Sequence, residues 1–220
     1  IRDRPSEGLA AFYAGCETLA DRAKKAASLE NVDFVCIRFD LADPNGQNKS
    51  VEACVADAKA VAEAVDKPLV VAGCKNIEKD AEIFSKVSEA LQGRNILVLS
   101  AKEENYKGVA AGAGLAYGQK VGAESAVDIN LAKQLNVLIT QMGVDGHNVA
   151  MNVGSAAAGY GFEYVVSTLE RVKAAALSQN DATLQMPIIT PVGAETWAVK
   201  ESTAPESENP GWGSAEERGI

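Results

Sequence analysis

The 220-residue chain carries 21 basic and 30 acidic side chains, which gives a net charge of -9 at pH 7 and a pI near 4.8. The basic residues form no stripe of the kind that marks a nucleic-acid-binding surface, and no apolar run reaches the roughly 18 residues of a membrane span. We recognise no signal peptide. We therefore expect a soluble cytoplasmic protein that binds neither nucleic acid nor a membrane and has one sizeable core.

Six short apolar segments recur along the chain, and each is followed by a polar or glycine-containing turn and then by a helical pattern. They begin near residues 33, 68, 95, 121, 147 and 186 and read VDFVCIRF, PLVVAG, NILVLS, VGAESA, HNVAMN and MPIITP. Nearly continuous apolar runs are typical of parallel strands buried on both faces. The pattern therefore predicts about six βα units of an α/β protein.

Polar turns follow every predicted strand. In an open sheet they would concentrate at the one point where the strand order reverses, so the pattern favours a TIM (β/α)8-type barrel. A complete barrel usually needs about 250 residues, so we expect a single barrel domain over 1–220 that is incomplete at both ends. The segment 202–214 is predicted to be a long Pro/Gly-containing loop, in which Trp212 favours a contact role.

Two helices have clear limits in the sequence. Asp128 is the predicted N-cap of one helix, which ends at Gly143. The next begins near residue 161. Its predicted apolar face consists of Phe162, Val165, Val166, Leu169 and Val172.

The four cysteines contain no CxxC pair, so we expect no zinc or iron–sulfur site formed by this chain alone. Cys16, Cys36, Cys54 and Cys74 are instead predicted to be free buried thiols in a reducing compartment.

Two further motifs resemble ligand-binding sequences but are better explained by structure. His147, the single histidine, lies in a near-match to the cobalamin motif DxHxxG, yet it begins a strand and would lie at the end opposite the polar turns. Gly112, Gly114 and Gly118 fall inside a helical stretch, where small residues allow close helix packing, rather than in a phosphate-binding turn.

Carboxylates and carboxamides recur in the turns after the predicted strands: Asp43, Asn45, Asn76, Glu104, Asn105, Asp128, Asn130 and Glu195. Each alone is explained as a helix cap or turn residue. Together they predict a rim that binds a polar, heteroatom-rich molecule. The rim contains no histidine, metal cluster or Ser–His pair, which argues against a self-contained hydrolase or metalloenzyme.

Several segments from about residue 33 onward, in the same order, resemble the small subunit of the corrinoid iron–sulfur protein, also known as the delta subunit of acetyl-CoA decarbonylase/synthase. They are DPNG (43–46), GCKNIEKD (73–80), EENYK (103–107), VDINLAKQLNVLI (127–139), GYGFEY and STLER (159–171), MPIITPVGAETWAVKE (186–201) and NPGWGSAEERGI (209–220).

The resemblance implies a barrel subunit that pairs with a larger subunit carrying a [4Fe-4S] domain and cobalamin. The pair carries a methyl group from methyltetrahydrofolate or a tetrahydropterin to acetyl-CoA synthase, and transiently meets a methyltransferase and that synthase. The small subunit is not itself catalytic and covers the cobalamin at the interface. Its cobalamin-facing residues would be Asp43, Asn45, Asn76, Asn105, Asp128, Asn130, Tyr160 and Glu195.

Trp197 and Trp212 are predicted to form subunit contacts, because aromatic residues are favoured interface anchors. The sequence departs from the family pattern at two places. The family usually has GCGN where this chain has Gly73 to Asn76, and Asp-Pro where it has Asn152-Val153.

The alternative is a pterin-dependent methyltransferase that binds methyltetrahydrofolate directly. In that case Asp43, Asn76, Asp128 and Asn152 would hydrogen-bond the pterin ring.

Overall fold

The computed structural model describes residues 7–208 and 210–214, which contain a five-stranded, all-parallel sheet. Each strand pairs with its neighbours in the sequence, so the sheet order is β1-β2-β3-β4-β5. The strands are β1 (Val35–Arg38), β2 (Leu69–Ala72), β3 (Leu97–Ala101), β4 (Lys120–Glu124) and β5 (Val149–Asn152). The predicted α/β class with parallel strands is confirmed.

A helix follows each of the five strands. The helices are α1 (Glu7–Phe12), α2 (Leu19–Ala27), α3 (Val51–Ala64), α4 (Ile77–Ala90), α5 (Tyr106–Val109, continued by a π-helical segment at Ala110–Leu115), α6 (Ile129–Gln141), α7 (Phe162–Ser178), α8 (Val192–Thr196) and α9 (Lys200–Thr203). Short 3₁₀ turns occupy Asp40–Ala42, Gly146–Asn148, Ala182–Leu184 and Pro210–Trp212. No helix of the described ranges is long and apolar enough to cross a membrane.

The main core lies between the sheet and the helices α3 to α6. Branched residues of the strands, such as Val71, Val98 and Val121, are fully buried, as are Phe84 of α4 and Leu135 of α6. A smaller cluster under α7 buries Met151, Val153, Val172, Ala176 and Leu184 with Ala132. The two clusters hold the carboxyl ends of the strands at one edge of the molecule.

The predicted limits of α6 are confirmed. The Asp128 carboxylate accepts hydrogen bonds from the backbone N–H groups of Asn130 (2.7 Å) and Leu131 (3.2 Å), and Gly143 follows the helix with φ +109°.

The predicted apolar face of α7 is correct only in part. Val165 and Val172 are buried, whereas Phe162 and Val166 are exposed at 36% and 38%. The stripe that meets the core instead passes through Thr168, because residues 165, 168 and 172 share one helical face and residue 166 is turned about 100° away from it.

Gly112 and Gly114 allow close packing, as predicted, whereas Gly118 follows the helical stretch with φ +65° and a Cβ atom there would meet open space. A Cβ atom at Gly112 would lie 3.0 Å from the Ser85 side chain, and one at Gly114 would lie 2.9 Å from Val144. His147 lies in the 3₁₀ turn before β5, where its N–H donates to Asp145. The histidine therefore occupies the amino end of that strand, also as predicted.

The sixth predicted strand, MPIITP, is reduced to a single parallel bridge between Met151 and Ile188 among the described residues. Met151 N donates to Pro187 O at 2.7 Å, and Ile189 N donates to Met151 O at 2.9 Å. Pro187 and Pro191 have no N–H to donate, so the segment cannot extend a regular ladder in either direction.

The predicted long loop at 202–214 contains the end of α9 and a 3₁₀ turn, with Asn209 outside the described residues. Trp212 is half-buried, and the Lys200 ammonium lies 5.9 Å from its ring centroid.

Candidate functional site at the carboxyl ends of the strands

The carboxyl ends of the five parallel strands open into one cavity of about 320 Å³. Strands, the turns that follow them and α8 all contribute to its wall. The polar lining residues are Arg38, Lys75, Asp80, Ser100, Lys102, Glu124, Asn152, Ser155 and Glu195. Open α/β sheets bind ligands at this edge, outside the carboxyl ends of their strands.

A hydrogen-bonded group spans β3, β4 and β5 at the cavity. Asn152 Nδ2 donates to Ser100 Oγ at 3.0 Å and to Glu124 Oε2 at 3.4 Å. Asn152 Oδ1 accepts from the backbone N–H of Gly154 at 3.1 Å. Lys102 Nζ lies 3.3 Å from Glu124 Oε1, and both side chains are less than one-third exposed. The carboxylate is therefore held between a lysine and an amide.

The turn after β2 is organised by the buried Asp80 of α4. Its carboxylate accepts hydrogen bonds from Cys74 N (2.7 Å), Lys75 N (3.0 Å) and the Cys74 thiol (3.2 Å). A Cβ atom at Gly73 would lie 2.2 to 2.5 Å from this carboxyl group, so only glycine fits there. Burial raises the pKa of Asp80 and outweighs the hydrogen bonds, which lower it. Burial also raises the pKa of Cys74 to about 11, so this thiol stays protonated at neutral pH.

Three non-glycine residues on the cavity wall have left-handed backbones: Lys75 (φ +72°), Ala126 (φ +46°) and Val127 (φ +69°). This conformation costs roughly 1–3 kcal/mol and concentrates at functional sites. Val127 is held in it because its N–H donates to Val153 O at 2.7 Å and its carbonyl accepts from Thr168 Oγ1 at 3.2 Å. Lys75 extends to Glu195 of α8, with 3.5 Å between Nζ and Oε1.

Of the eight residues predicted to face a cofactor, Glu195 is the one that lines the cavity. Asp43 accepts from the backbone N–H of Asn45 at 2.9 Å, which closes a local turn, and the Asn45 side chain is exposed. Tyr160 is 58% exposed, and its hydroxyl donates to the Glu201 carboxylate at 2.8 Å.

The other four predicted residues lie at helix starts beyond the strands. Asn76 caps α4 by accepting from Lys79 N at 3.0 Å, and Asp128 caps α6. Asn105 is buried, where it accepts from Lys102 N at 2.8 Å and donates to Ile77 O at 3.3 Å. Asn130 is exposed in the first turn of α6.

Sequence reasoning missed most of the cavity's polar residues. Asn152 was named for the pterin-dependent alternative, but Arg38, Ser100, Lys102 and Glu124 were not singled out. They share a recognisable signal, because each lies within the last two residues of an apolar strand or directly after one.

All four cysteines are free thiols. Cys54 and Cys74 are buried as predicted, whereas Cys36 is exposed and Cys16 is half-buried. Cys36 departs from the prediction because it belongs to β1, the strand at the edge of the sheet. Within residues 7–208 and 210–214, no group of three or more His, Cys, Asp or Glu side chains could hold a metal ion.

The fold and the cavity define an α/β protein with a cavity of mixed polar and apolar lining at the carboxyl edge of a parallel sheet. Residues 1–206 match the family model of the CO dehydrogenase/acetyl-CoA synthase delta subunit, and the chain belongs to this family. The resemblance predicted from the sequence motifs is thereby confirmed.

Several relatives are named acetyl-CoA decarbonylase/synthase complex subunit delta. The chain is 30% identical to that of Methanopyrus kandleri over 84% of its length, and 32% identical to that of Methanothermobacter thermautotrophicus over 78%. It is 31% identical to subunit delta 1 of Methanosarcina thermophila over 90% of its length. The matches cover 44% to 46% of these relatives, so the chain spans about half the length of the curated relatives it matches.

Proposed function

We propose that this chain is a barrel subunit of a corrinoid iron–sulfur methyl-carrier complex. In this proposal it covers the cobalamin held by a larger [4Fe-4S] partner while a methyl group passes from methyltetrahydrofolate or a tetrahydropterin to acetyl-CoA synthase. The observation that carries the proposal is the family match over residues 1–206. The names of the relatives, subunits of an acetyl-CoA decarbonylase/synthase complex, support it.

The cavity is the surface that we propose to face the corrinoid, which supplies the cobalt that carries the methyl group when it is bound. A corrin ring carries neutral amide side chains, and the lining of hydroxyl, amide and paired charged groups fits such neighbours. Of the predicted rim, Glu195 is the residue best placed for this contact. We propose that Lys75 and Asn152 join it.

Closure of the sheet into a barrel is part of the proposal. Every second residue of β1 forms its backbone hydrogen bonds with β2. Val35 N donates to Pro68 O, and Phe39 N, just after the strand, donates to Ala72 O. The backbone groups of Cys36 and Arg38 face away from β2. Beside this edge lies an apolar groove of about 280 Å³, lined by Leu19, Leu29 and Phe34 among others. Such an edge suits a further parallel strand.

Exposed aromatic residues at the start of α7 support a partner surface. Tyr160 and Tyr164 are 58% and 66% exposed, and Phe162 lies between them at the start of α7. Aromatic residues are enriched among interface anchors. We propose that this group, with Trp197 and Trp212, contacts the larger subunit.

Anaerobic purification of the native protein tests the proposal, with a visible spectrum and a subunit gel of the same fractions. We expect corrinoid and iron–sulfur absorption to co-elute with this chain and a larger one. A colourless chain that elutes alone and binds methyltetrahydrofolate would contradict the proposal.

A pterin-dependent methyltransferase is the second candidate, and the position of Asn152 in the cavity is the observation that favours it. Titration of the chain alone with methyltetrahydrofolate separates the two functions. The enzyme would bind it, and Asn152→Ala would weaken that binding at least tenfold. The corrinoid subunit would show no saturable binding without its partner.

A further inference from the structure

The charges on the cavity wall are balanced, and each cation has a carboxylate partner. The lining contains three cations, Arg38, Lys75 and Lys102, and three carboxylates, Asp80, Glu124 and Glu195. Arg38 Nη2 lies 2.9 Å from Asp40, and the two lysines pair with Glu195 and Glu124 at 3.5 and 3.3 Å. Deep in the cavity, a charged ligand would have to separate the half-buried Lys102–Glu124 pair or remain uncompensated, which is costly. The Lys75–Glu195 pair is more exposed. The wall therefore suits a neutral ligand.

Three side chains that line the cavity can still accept or donate hydrogen bonds. Glu124 accepts from Asn152 and forms an ion pair with Lys102, and a carboxylate has about four acceptor positions. Ser100 Oγ accepts from Asn152, and its own proton has no acceptor among the described residues. Ser155 also lines the cavity, and its buried hydroxyl oxygen has no partner within the described part of the chain. Buried polar groups are nearly always hydrogen-bonded in native proteins, to protein, water or a ligand.

The matching ligand must donate to a carboxylate and accept from hydroxyl groups while staying neutral. A carboxamide group meets all three requirements, since its NH₂ donates and its carbonyl accepts. Apolar side chains of Ala72, Leu99 and Val127 complete the wall. The volume of about 320 Å³ corresponds to roughly ten water molecules, enough for a small ring that carries one amide.

We propose that this cavity binds a neutral carboxamide group, with Glu124 as the acceptor and the Ser100 and Ser155 hydroxyls as donors. Asn152 acts as a positioning residue, because its amide orients Ser100 and Glu124. The inference rests on the proposed role of the cavity as the corrinoid-facing surface. The amide can belong to a free small molecule or to an amide arm at the rim of a corrinoid.

The probes are nicotinamide and nicotinate, which have nearly the same shape. Nicotinamide carries a neutral carboxamide, and nicotinate carries a charged carboxylate in its place. Each is titrated into the full chain without partner, and amide chemical shifts of residues 125–128 and Gly154 are followed by NMR. We expect saturable shifts there with nicotinamide and at least tenfold weaker binding of nicotinate. Equal or tighter binding of nicotinate, or no saturable shift with nicotinamide, would overturn the proposal.

Variants locate the binding groups. Glu124→Gln removes the carboxylate acceptor and should weaken nicotinamide binding about tenfold, whereas Glu63→Gln, an exposed carboxylate of α3, should leave it unchanged. Ser155→Ala leaves the Lys102–Glu124 pair intact and should weaken binding about threefold, so the proposal stays testable even where Glu124→Gln does not fold. Unchanged affinity in both cavity variants would contradict it.

Dicyanocobinamide, a corrinoid with several amide arms, distinguishes the two sources. Competition between it and nicotinamide would indicate that the cavity receives an arm of the corrinoid. Binding of nicotinamide alone would indicate a separate small molecule. These titrations use the chain without its partner, whereas the co-purification experiment uses the native complex. The carboxamide proposal can therefore fail while the proposed function holds, and the reverse.

Discussion

Polar side chains at the ends of the strands and those in the turns beyond them use their hydrogen bonds differently. Asn152 reaches Ser100 and Glu124, which are 52 and 28 residues away in the sequence. Asp43, Asn76 and Asp128 instead accept from backbone groups two or three residues away. Caps and turns stabilise their own segment. We therefore propose that the strand ends, rather than the turns, face a ligand.

The largest loss of stability is expected from Gly73→Ala, in the turn between the end of β2 and the start of α4. The new Cβ atom would overlap the Asp80 carboxyl group and disturb its hydrogen bonds to Cys74 and Lys75. We expect a loss of about 3 kcal/mol in the free energy of unfolding, measured by urea denaturation. Gly46→Ala is the matched control, because its Cβ atom would meet its nearest neighbour at 3.6 Å. Equal stability of the two variants would contradict the close packing.

Asp128→Ala tests whether turn residues bind ligands. Loss of an N-cap costs about 1 kcal/mol, so thermal or urea unfolding should show a loss of that size. Nicotinamide affinity should stay within twofold, and Asn130→Ala, an exposed neighbour, should change neither quantity. A variant with unchanged stability and abolished binding would move the site from the strand ends to the turns.

Two substitutions of Lys75 are expected to change the free energy of unfolding by a smaller amount. Their difference separates backbone strain from ion pairing. Lys75→Gly and Lys75→Ala both remove the exposed ion pair with Glu195, which contributes at most about 1 kcal/mol. Only the glycine variant relieves the left-handed backbone, and it should be the more stable of the two by about 1 kcal/mol in urea denaturation. An alanine variant as stable as the glycine variant would show that position 75 is not strained.

The smallest effect concerns Asp181, a turn carboxylate that does not line the cavity. Lys133 and Thr183 hold its pKa at about 2, below the ordinary value of 3.8. Because the folded-state pKa is lowered, the pair stabilises the fold above about pH 4, and this contribution is lost as the pH falls towards about 2. The urea midpoints of wild type and Lys133→Met should therefore differ at about pH 6, differ less at about pH 3, and converge only as the pH falls to about 2 or below. A difference independent of pH would contradict this pairing.

Much of the fold could be predicted from the sequence, because apolar strands, polar turns and caps such as Asp128 are local signals. The sixth strand was predicted wrongly as a regular strand, because MPIITP has the apolar composition of a strand. Pro187 and Pro191, which stand in the same segment, prevent a ladder and leave a single bridge. The cavity residues were also largely missed. The direction in which Ser100 or Glu124 faces depends on the register of β3 and β4, and a continuous apolar run gives no alternation from which to read it.

Hydrogen–deuterium exchange of the chain alone and in its anaerobically purified complex would test most directly whether the strand-end edge faces the partner. We predict slower exchange in the complex at residues 73–76, 125–128 and 153–155, with little change along the outer helices α3 and α4. Protection confined to those outer helices, with the strand-end turns unchanged, would contradict the proposed role of the cavity.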